Sequence, residues 1–205
     1  MNLANSWKDY KILDMSDGMK LESWNGIILS RPDPQIIWDE KTNPKLWNKA
    51  NAIYHRSKTG GGTWEYNKKM PQQWQIKYKD LTFNIKPMGF KHTGLFPEQA
   101  VNWDWMMDKI KNAKREIKVL NLFAYTGGAT VACSAAGASV CHVDSSKGMV
   151  TWAKENIASY LLPLLISLFT NFTTSSIIYL TGLSFKPEDS TFSFAHATIP
   201  FELST

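Results

Sequence analysis

The sequence predicts an α/β protein whose second half begins a doubly wound sheet. Three observations predict it: an apolar, β-branched run over Ile117–Phe123, a Thr126-Gly127-Gly128 turn with a small-residue helical stretch behind it, and a second strand, Ser139–Val143, that ends on Asp144. Strand, turn, helix, strand and helix in that order make a βαβα unit. A β-rich region precedes it, and a compositionally different tail follows. The expected organisation is therefore 1–90 β-rich, 91–159 a partial Rossmann-like domain, and 160–205 an unrelated or poorly ordered apolar tail.

The β-rich region is read from turn chemistry. YKILDM, KLESW and GIILSRP alternate apolar with polar residues and are separated by Asp17-Gly18 and Asn25-Gly26, dipeptides that tolerate positive φ and close tight hairpins. WQIKYK and LTFNIKPM flank Asp80 and alternate apolar with basic side chains, as a half-exposed hairpin should. Between them HRSKTGGGTWEYNKK is a glycine-rich cationic loop, either a flexible contact to RNA phosphates or a solvated connector.

From Glu98 the period changes. Ala100, Trp103, Met107 and Ile110 share one helical face, Pro97 suits the first turn, and Glu98 complements the positive end of the helix dipole. In the βαβα unit, Ala129, Ala132, Cys133 and Ala136 form a helix face able to pack closely on a sheet, and Gly137 is the expected C-cap. Ser145 or Ser146 can cap a helix whose inner face is Met149, Trp152, Ala153 and Ile157. Glycines at the first strand's end let backbone approach a ligand, and an acidic residue about 20 positions later suits the two hydroxyls of a ribose. Gly127, Gly128 and Asp144 meet that spacing, although the turn lacks the full GxGxxG pattern.

Composition narrows the remaining classes. The chain has 205 residues, 43% apolar and 20% charged, which fits neither wholesale disorder nor a polytopic membrane protein. Two cysteines supply neither a disulfide framework nor a four-ligand zinc site, and no secretory signal opens the sequence, so a reducing cytoplasmic setting is expected, with no metal. Residues 1–160 carry 22 Lys/Arg against 15 Asp/Glu, whereas 161–205 carry 1 against 3. A basic body suits a polyanion such as nucleic acid, or simply a well-solvated surface. The run from Tyr160 to Leu183 has the length of a membrane span, but Pro163, Asn171 and its Ser/Thr content argue against one.

NLFAYTGGATVA followed by HVDSSKGMVTWAKEN, with IKPMGFKHTGLFPEQAVNWDW upstream, resembles the class I S-adenosylmethionine-dependent methyltransferases of the bacterial 23S rRNA large-subunit methyltransferase I/K type. The resemblance covers about residues 8–159. It implies the first half of a Rossmann-like methyltransferase fold, S-adenosyl-L-methionine as cofactor, and RNA, 23S rRNA in particular, as partner. It implies that Thr93, Phe96 and Gln99 help close the cofactor site, that Asn121, Phe123, Tyr125 and Gly127 surround the methionine and ribose, that Asp144 holds the ribose hydroxyls, and that Ser145 lies near the adenine. Other uses stay open for each: core aromatics for Phe96 and Phe123, a helix-start polar pair for Gln99 and Ser145, a turn former for Asn121.

No catalytic residue is assigned. The later strands and the DPP-type motif that such a family uses to hold a target base do not occur in the tail, so the expected chain is an incomplete or inactive methyltransferase. The alternatives are a non-catalytic adenosine-ligand or RNA-binding fragment, and a tail-anchored protein. Cys133 on a packing face and Cys141 inside a strand read as small core residues rather than nucleophiles.

Overall fold

Both glycine dipeptides do in the structure what their chemistry demands. In the computed structural model, which describes residues 3–58, 60–170, 183–184 and 191–194, β1 (Tyr10–Ser16), β2 (Met19–Trp24) and β3 (Ile27–Pro32) run antiparallel through two-residue loops. Asp17 and Gly18 have φ of 50° and 66°, and Asn25 and Gly26 have 51° and 83°, so both central residues of each loop are left-handed and the turn twist matches the strands. A single turn, α1 (Pro44–Trp47), leads to β4 (Ala52–Arg56) and β5 (Gly62–Tyr66), completing a five-stranded sheet of order β1-β2-β3-β4-β5 in which only β3 and β4 are parallel. The cationic glycine-rich segment is the β4–β5 hairpin.

The second hairpin joins β6 (Trp74–Tyr78) to β7 (Leu81–Ile85) across Lys79-Asp80. It differs from a half-exposed hairpin: every residue of β7 is buried, including Thr82 and Asn84. The reason is its docking on the larger sheet, where Trp74 Nε1 donates to Trp24 O (3.0 Å), Asn25 Nδ2 donates to Gln75 O (3.0 Å) and Lys77 N donates to the Asp9 carboxylate (2.8 Å).

This N-terminal unit, Met1–Glu98, is one of two compact units, the other being Gln99–Thr205. A buried ion pair crosses its sheet: Arg31 Nε and Nη2 donate to the two Glu22 carboxylate oxygens at 2.7 and 2.9 Å, and Tyr10 Oη donates to the same carboxylate at 2.7 Å. Burial alone would raise the Glu22 pKa and lower that of Arg31, but the pair reverses both shifts and keeps both groups charged. The third guanidinium nitrogen, Nη1, donates to Lys91 O (2.9 Å), tying the segment after β7 to the sheet.

In the second unit a 3-10 turn, Pro97–Gln99 at its border, enters α2 (Ala100–Lys111). Then follow β8 (Lys118–Leu122), α3 (Gly128–Ala135), β9 (Ser139–Val143) and α4 (Lys147–Thr170). Strands β8 and β9 pair in parallel, with Asn121 opposite His142. Cys133 of α3, Val140 of β9 and Ala138 form a buried cluster against Met106 and Ile110 of α2 and Ile117 and Val119, so α2 and α3 cover the same face of the strands. Gly137 (φ 98°) ends α3 in a Schellman arrangement, with Ala138 N donating to Cys133 O and Gly137 N to Ser134 O.

Two expectations are corrected here. The Ile117–Phe123 run is not a buried strand: Leu120 is 62% exposed, Leu122 55% and Phe123 92%, because the described elements cover only the Val119 and Asn121 face. The last helix does not stop near Ser159 but continues through Pro163 to Thr170, and β10 (Leu183–Ser184) and β11 (Thr191–Phe194) add antiparallel strands beyond β9, giving the order β10-β11-β9-β8. Among the described residues no helix is long and apolar enough to cross a membrane, and most of the Tyr160–Leu183 run lies outside the described residues.

Breaking the buried ion pair from one side leaves the other charge stranded. Arg31→Met is expected to cost about 3–5 kcal/mol in urea unfolding, and the paired change Arg31→Met with Glu22→Leu should recover most of that loss.

Candidate functional site

The site is built on the loop between β8 and α3, whose backbone is under strain. Phe123 and Tyr125 both have φ of 53°, a left-handed conformation costing a non-glycine residue roughly 1–2 kcal/mol, and Gly127 follows at 83°. What holds the loop is the end of the neighbouring strand. Ala124 N donates to Val143 O (3.0 Å), and Tyr125 N donates to Asp144 Oδ2 (2.8 Å). The other carboxylate oxygen, Oδ1, accepts from Ser146 N (2.8 Å). Asp144 thus clasps the first turn with one oxygen and the entry to α4 with the other. Each carboxylate oxygen can accept a second hydrogen bond, so the group retains capacity for two more donors such as vicinal hydroxyls.

Helix α4 closes the loop from behind. Ser146 caps it, its Oγ lying 3.4 Å from Met149 N, so Ser146 rather than Ser145 is the capping residue and Ser145 is left exposed beside Asp144. Asn156 Nδ2 reaches back to Thr126 O (2.8 Å), and Ala153 sits so close to Gly127 that a Cβ there would lie 2.9 Å from the Ala153 Cβ. Gly127 is therefore required twice, by its φ and by helix packing.

A polar relay lies on the α3 side of the strands. Asn121 Nδ2 donates to Thr130 Oγ1 (3.0 Å), and that hydroxyl lies 2.9 Å from His142 Nδ1. Thr130 and His142 are fully buried, and burial pushes the imidazole pKa down to about 4, against a smaller upward effect of Asp144, so the ring is neutral near pH 7. The hydroxyl proton, already receiving the Asn121 amide on its oxygen, points at Nδ1 as acceptor. The ring proton then sits on Nε2.

The other positions expected to serve a cofactor fall in two groups. Gln99 is exposed at the start of α2, its Oε1 accepting from Asn102 Nδ2 (2.9 Å). Thr93 and Phe96 belong to the N-terminal unit. Thr93 is completely buried, its carbonyl accepts from Lys86 N, and its hydroxyl has no hydrogen-bond partner; Phe96 is 38% exposed with its ring 5.2 Å from that of His92. Asn121, Phe123, Tyr125, Gly127, Asp144 and Ser145 come together at the carboxyl ends of β8 and β9. Spacing did not reveal Thr130, His142, Ser146 and Asn156 as parts of the site's frame. An alternation of polar residues on strand and helix faces otherwise apolar was their only signal.

The donor set suits an adenosyl compound: a two-oxygen acceptor at the second strand's end, a side-chain-free turn at Gly127 and an exposed aromatic at Phe123. It does not suit thiol chemistry, since burial raises the Cys133 pKa to about 11. The family described as S-adenosylmethionine-dependent methyltransferase matches residues 48–160, more than half of the chain. The chain belongs to that family. A SAM-dependent methyltransferase from Agrobacterium tumefaciens, 37% identical, superposes with a TM-score of 0.72 over 76% of this chain and 50% of its own. A putative SAM-dependent methyltransferase from Streptococcus mutans, at 17% identity and TM-score 0.55, shares the fold over 77% of this chain. Among curated relatives, the ribosomal RNA large subunit methyltransferase K/L of Shewanella frigidimarina (strain NCIMB 400) is 43% identical over 77 residues, 37% of this methyltransferase-family chain and 10% of the relative. The K/L enzyme of Magnetococcus marinus is 27% identical over 131 residues, 63% of this chain and 16% of the relative. The chain thus spans between a tenth and a sixth of those curated proteins' length.

Two outcomes follow from the packing. Gly127→Ala should lower unfolding free energy by about 2–4 kcal/mol in urea, combining left-handed strain with overpacking against Ala153. Because the His142 pKa is depressed from 6.5 to about 4, the unfolded chain takes up its proton first on acidification. Stability should therefore fall as pH drops from 6.5 towards 4, with a slope below about 1.4 kcal/mol per pH unit that His142→Asn removes, read as the difference between wild-type and variant melting curves.

Proposed function

We propose that the carboxyl ends of β8 and β9 bind the adenosyl moiety of S-adenosyl-L-methionine and that the chain carries the cofactor-binding part of a ribosomal RNA methyltransferase. The observation that carries this reading is the Asp144 carboxylate, held by Tyr125 N and Ser146 N with one acceptor site left on each oxygen. In this reading Asp144 accepts the ribose hydroxyls, Ser145 lies by the adenine, Asn121, Phe123, Tyr125 and Gly127 surround the methionine and ribose, and Thr93, Phe96 and Gln99 come from the segment that closes over the cofactor. Bound there, the sulfonium supplies an electrophilic methyl group. The chain's own residues orient it and exclude water, which is the larger part of catalysis for an in-line displacement.

The acceptor reading rests on the rRNA large-subunit relatives and on the basic balance of residues 1–160, which favours a polyanion. We take 23S rRNA as the acceptor and the cytoplasm as the setting. The exposed Leu120, Leu122 and Phe123 on β8 favour a second element of the reading: the 205-residue chain binds the cofactor without transferring the methyl group. A doubly wound sheet has helices on both faces, and here the outward face of β8 is open to water.

Calorimetry on the full chain should detect S-adenosylhomocysteine binding that Asp144→Ala abolishes while circular dichroism remains that of a folded protein. The same preparation should give no transfer of labelled methyl groups to bulk rRNA. Unchanged affinity in the variant would refute the carboxylate's role, and measured transfer would refute the inactive reading.

A further inference from the structure

We infer that Thr130 and His142 are positioning residues that set the donor–acceptor polarity of the Asn121 carboxamide, so that its oxygen receives the α-ammonium group of the cofactor's amino-acid end. The inference rests on the proposed cofactor reading and adds to it the group that recognises one end of the ligand.

The chemistry is that of an amide with two faces and one of them occupied. Asn121 presents one acceptor oxygen and one donor nitrogen. Its nitrogen is committed: Nδ2 donates to Thr130 Oγ1 at 3.0 Å. A reversed amide would put two acceptors in opposition unless the threonine proton turned towards Asn121, and that proton is directed to His142 Nδ1 at 2.9 Å. The imidazole is held in register because His142 pairs directly opposite Asn121 in the parallel ladder, and Thr130 lies on the first turn of α3 above both. Rotation of the amide therefore disrupts two hydrogen bonds in a buried setting, where an unmade one is expensive.

The fixed polarity leaves Oδ1 outward. Asn121 is half-buried, and Oδ1 accepts no hydrogen bond from the described residues. It lies at the carboxyl end of β8, one strand from Asp144 and next to the exposed turn that starts at Phe123. A preset acceptor recognises a donor and turns away a carboxylate. The α-ammonium is the strongest donor an adenosylmethionine carries, and a charge-assisted hydrogen bond to a neutral carbonyl is stronger than one between neutral groups.

Two ligands separate this device from a general packing role. S-adenosylhomocysteine carries the ammonium group, whereas 5′-methylthioadenosine shares the adenosyl part and lacks the whole amino-acid end. Calorimetry on the full chain should show Thr130→Val weakening S-adenosylhomocysteine about tenfold with 5′-methylthioadenosine affinity unchanged, and Thr130→Ser, which keeps the hydroxyl, restoring wild-type discrimination. Equal weakening of both ligands, or no change in either, overturns the inference. So does a wild-type chain that binds 5′-methylthioadenosine as tightly as S-adenosylhomocysteine, a result that leaves the adenosyl reading standing. A wild-type chain that binds neither ligand overturns both.

Discussion

One carboxylate organises the second unit. Asp144 bridges the amide of Tyr125 in the first loop and the amide of Ser146 at the mouth of α4. Those bonds offset the strain of a loop in which Phe123 and Tyr125 are left-handed without being glycine. Without a fixed negative end there, nothing among the described contacts would hold the Tyr125 amide in its place. The same two bonds keep the carboxylate beside the turn, so the group that shapes the loop is also the one best placed to meet a ligand above it. Structure and recognition share a single side chain.

The polar groups behind the loop form a frame of side-chain hydrogen bonds. Asn156 holds Thr126 O, Ala153 leaves room for Gly127 alone, and Thr130 joins Asn121 to His142. Each lies on a face that also carries apolar contacts, such as Cys133, Val140 and Ala153. Buried polar groups are tolerable because each is matched to a neighbour of the opposite hydrogen-bonding character. The N-terminal unit uses the same strategy with charge, where Glu22, Arg31 and Tyr10 satisfy one another and Arg31 also caps Lys91 O.

The covering of the parallel strands is one-sided. Val119 and Val140 meet α2 and α3, while Leu120 and Leu122 on the opposite face of β8 stand in water. The chain spans half of the Agrobacterium structure it superposes on. Leucines at alternate positions of a parallel strand are a surface built for burial, and their exposure costs about 1.5–3 kcal/mol each in forgone transfer free energy.

Local chemistry was legible. The two hairpin turns, the Schellman end at Gly137, the register of strand, turn and helix, and the position of Asp144 all follow from residues whose backbone preference or charge acts over a few neighbours. Less legible was anything requiring a partner distant in the chain. A fully buried β7 came from docking on β2, not from its own alternation, and the identity of the true α4 cap turned on which of two adjacent serines met Met149 N. The sequence by itself determined the α/β order, the glycine turn and the strand-end carboxylate, because periodicity, turn chemistry and family motifs are local properties. Only the tertiary structure decided which atoms of Asp144 are already engaged, which way the Asn121 amide faces and which face of β8 is bare, because each depends on groups from separate elements meeting at hydrogen-bond or van der Waals distance.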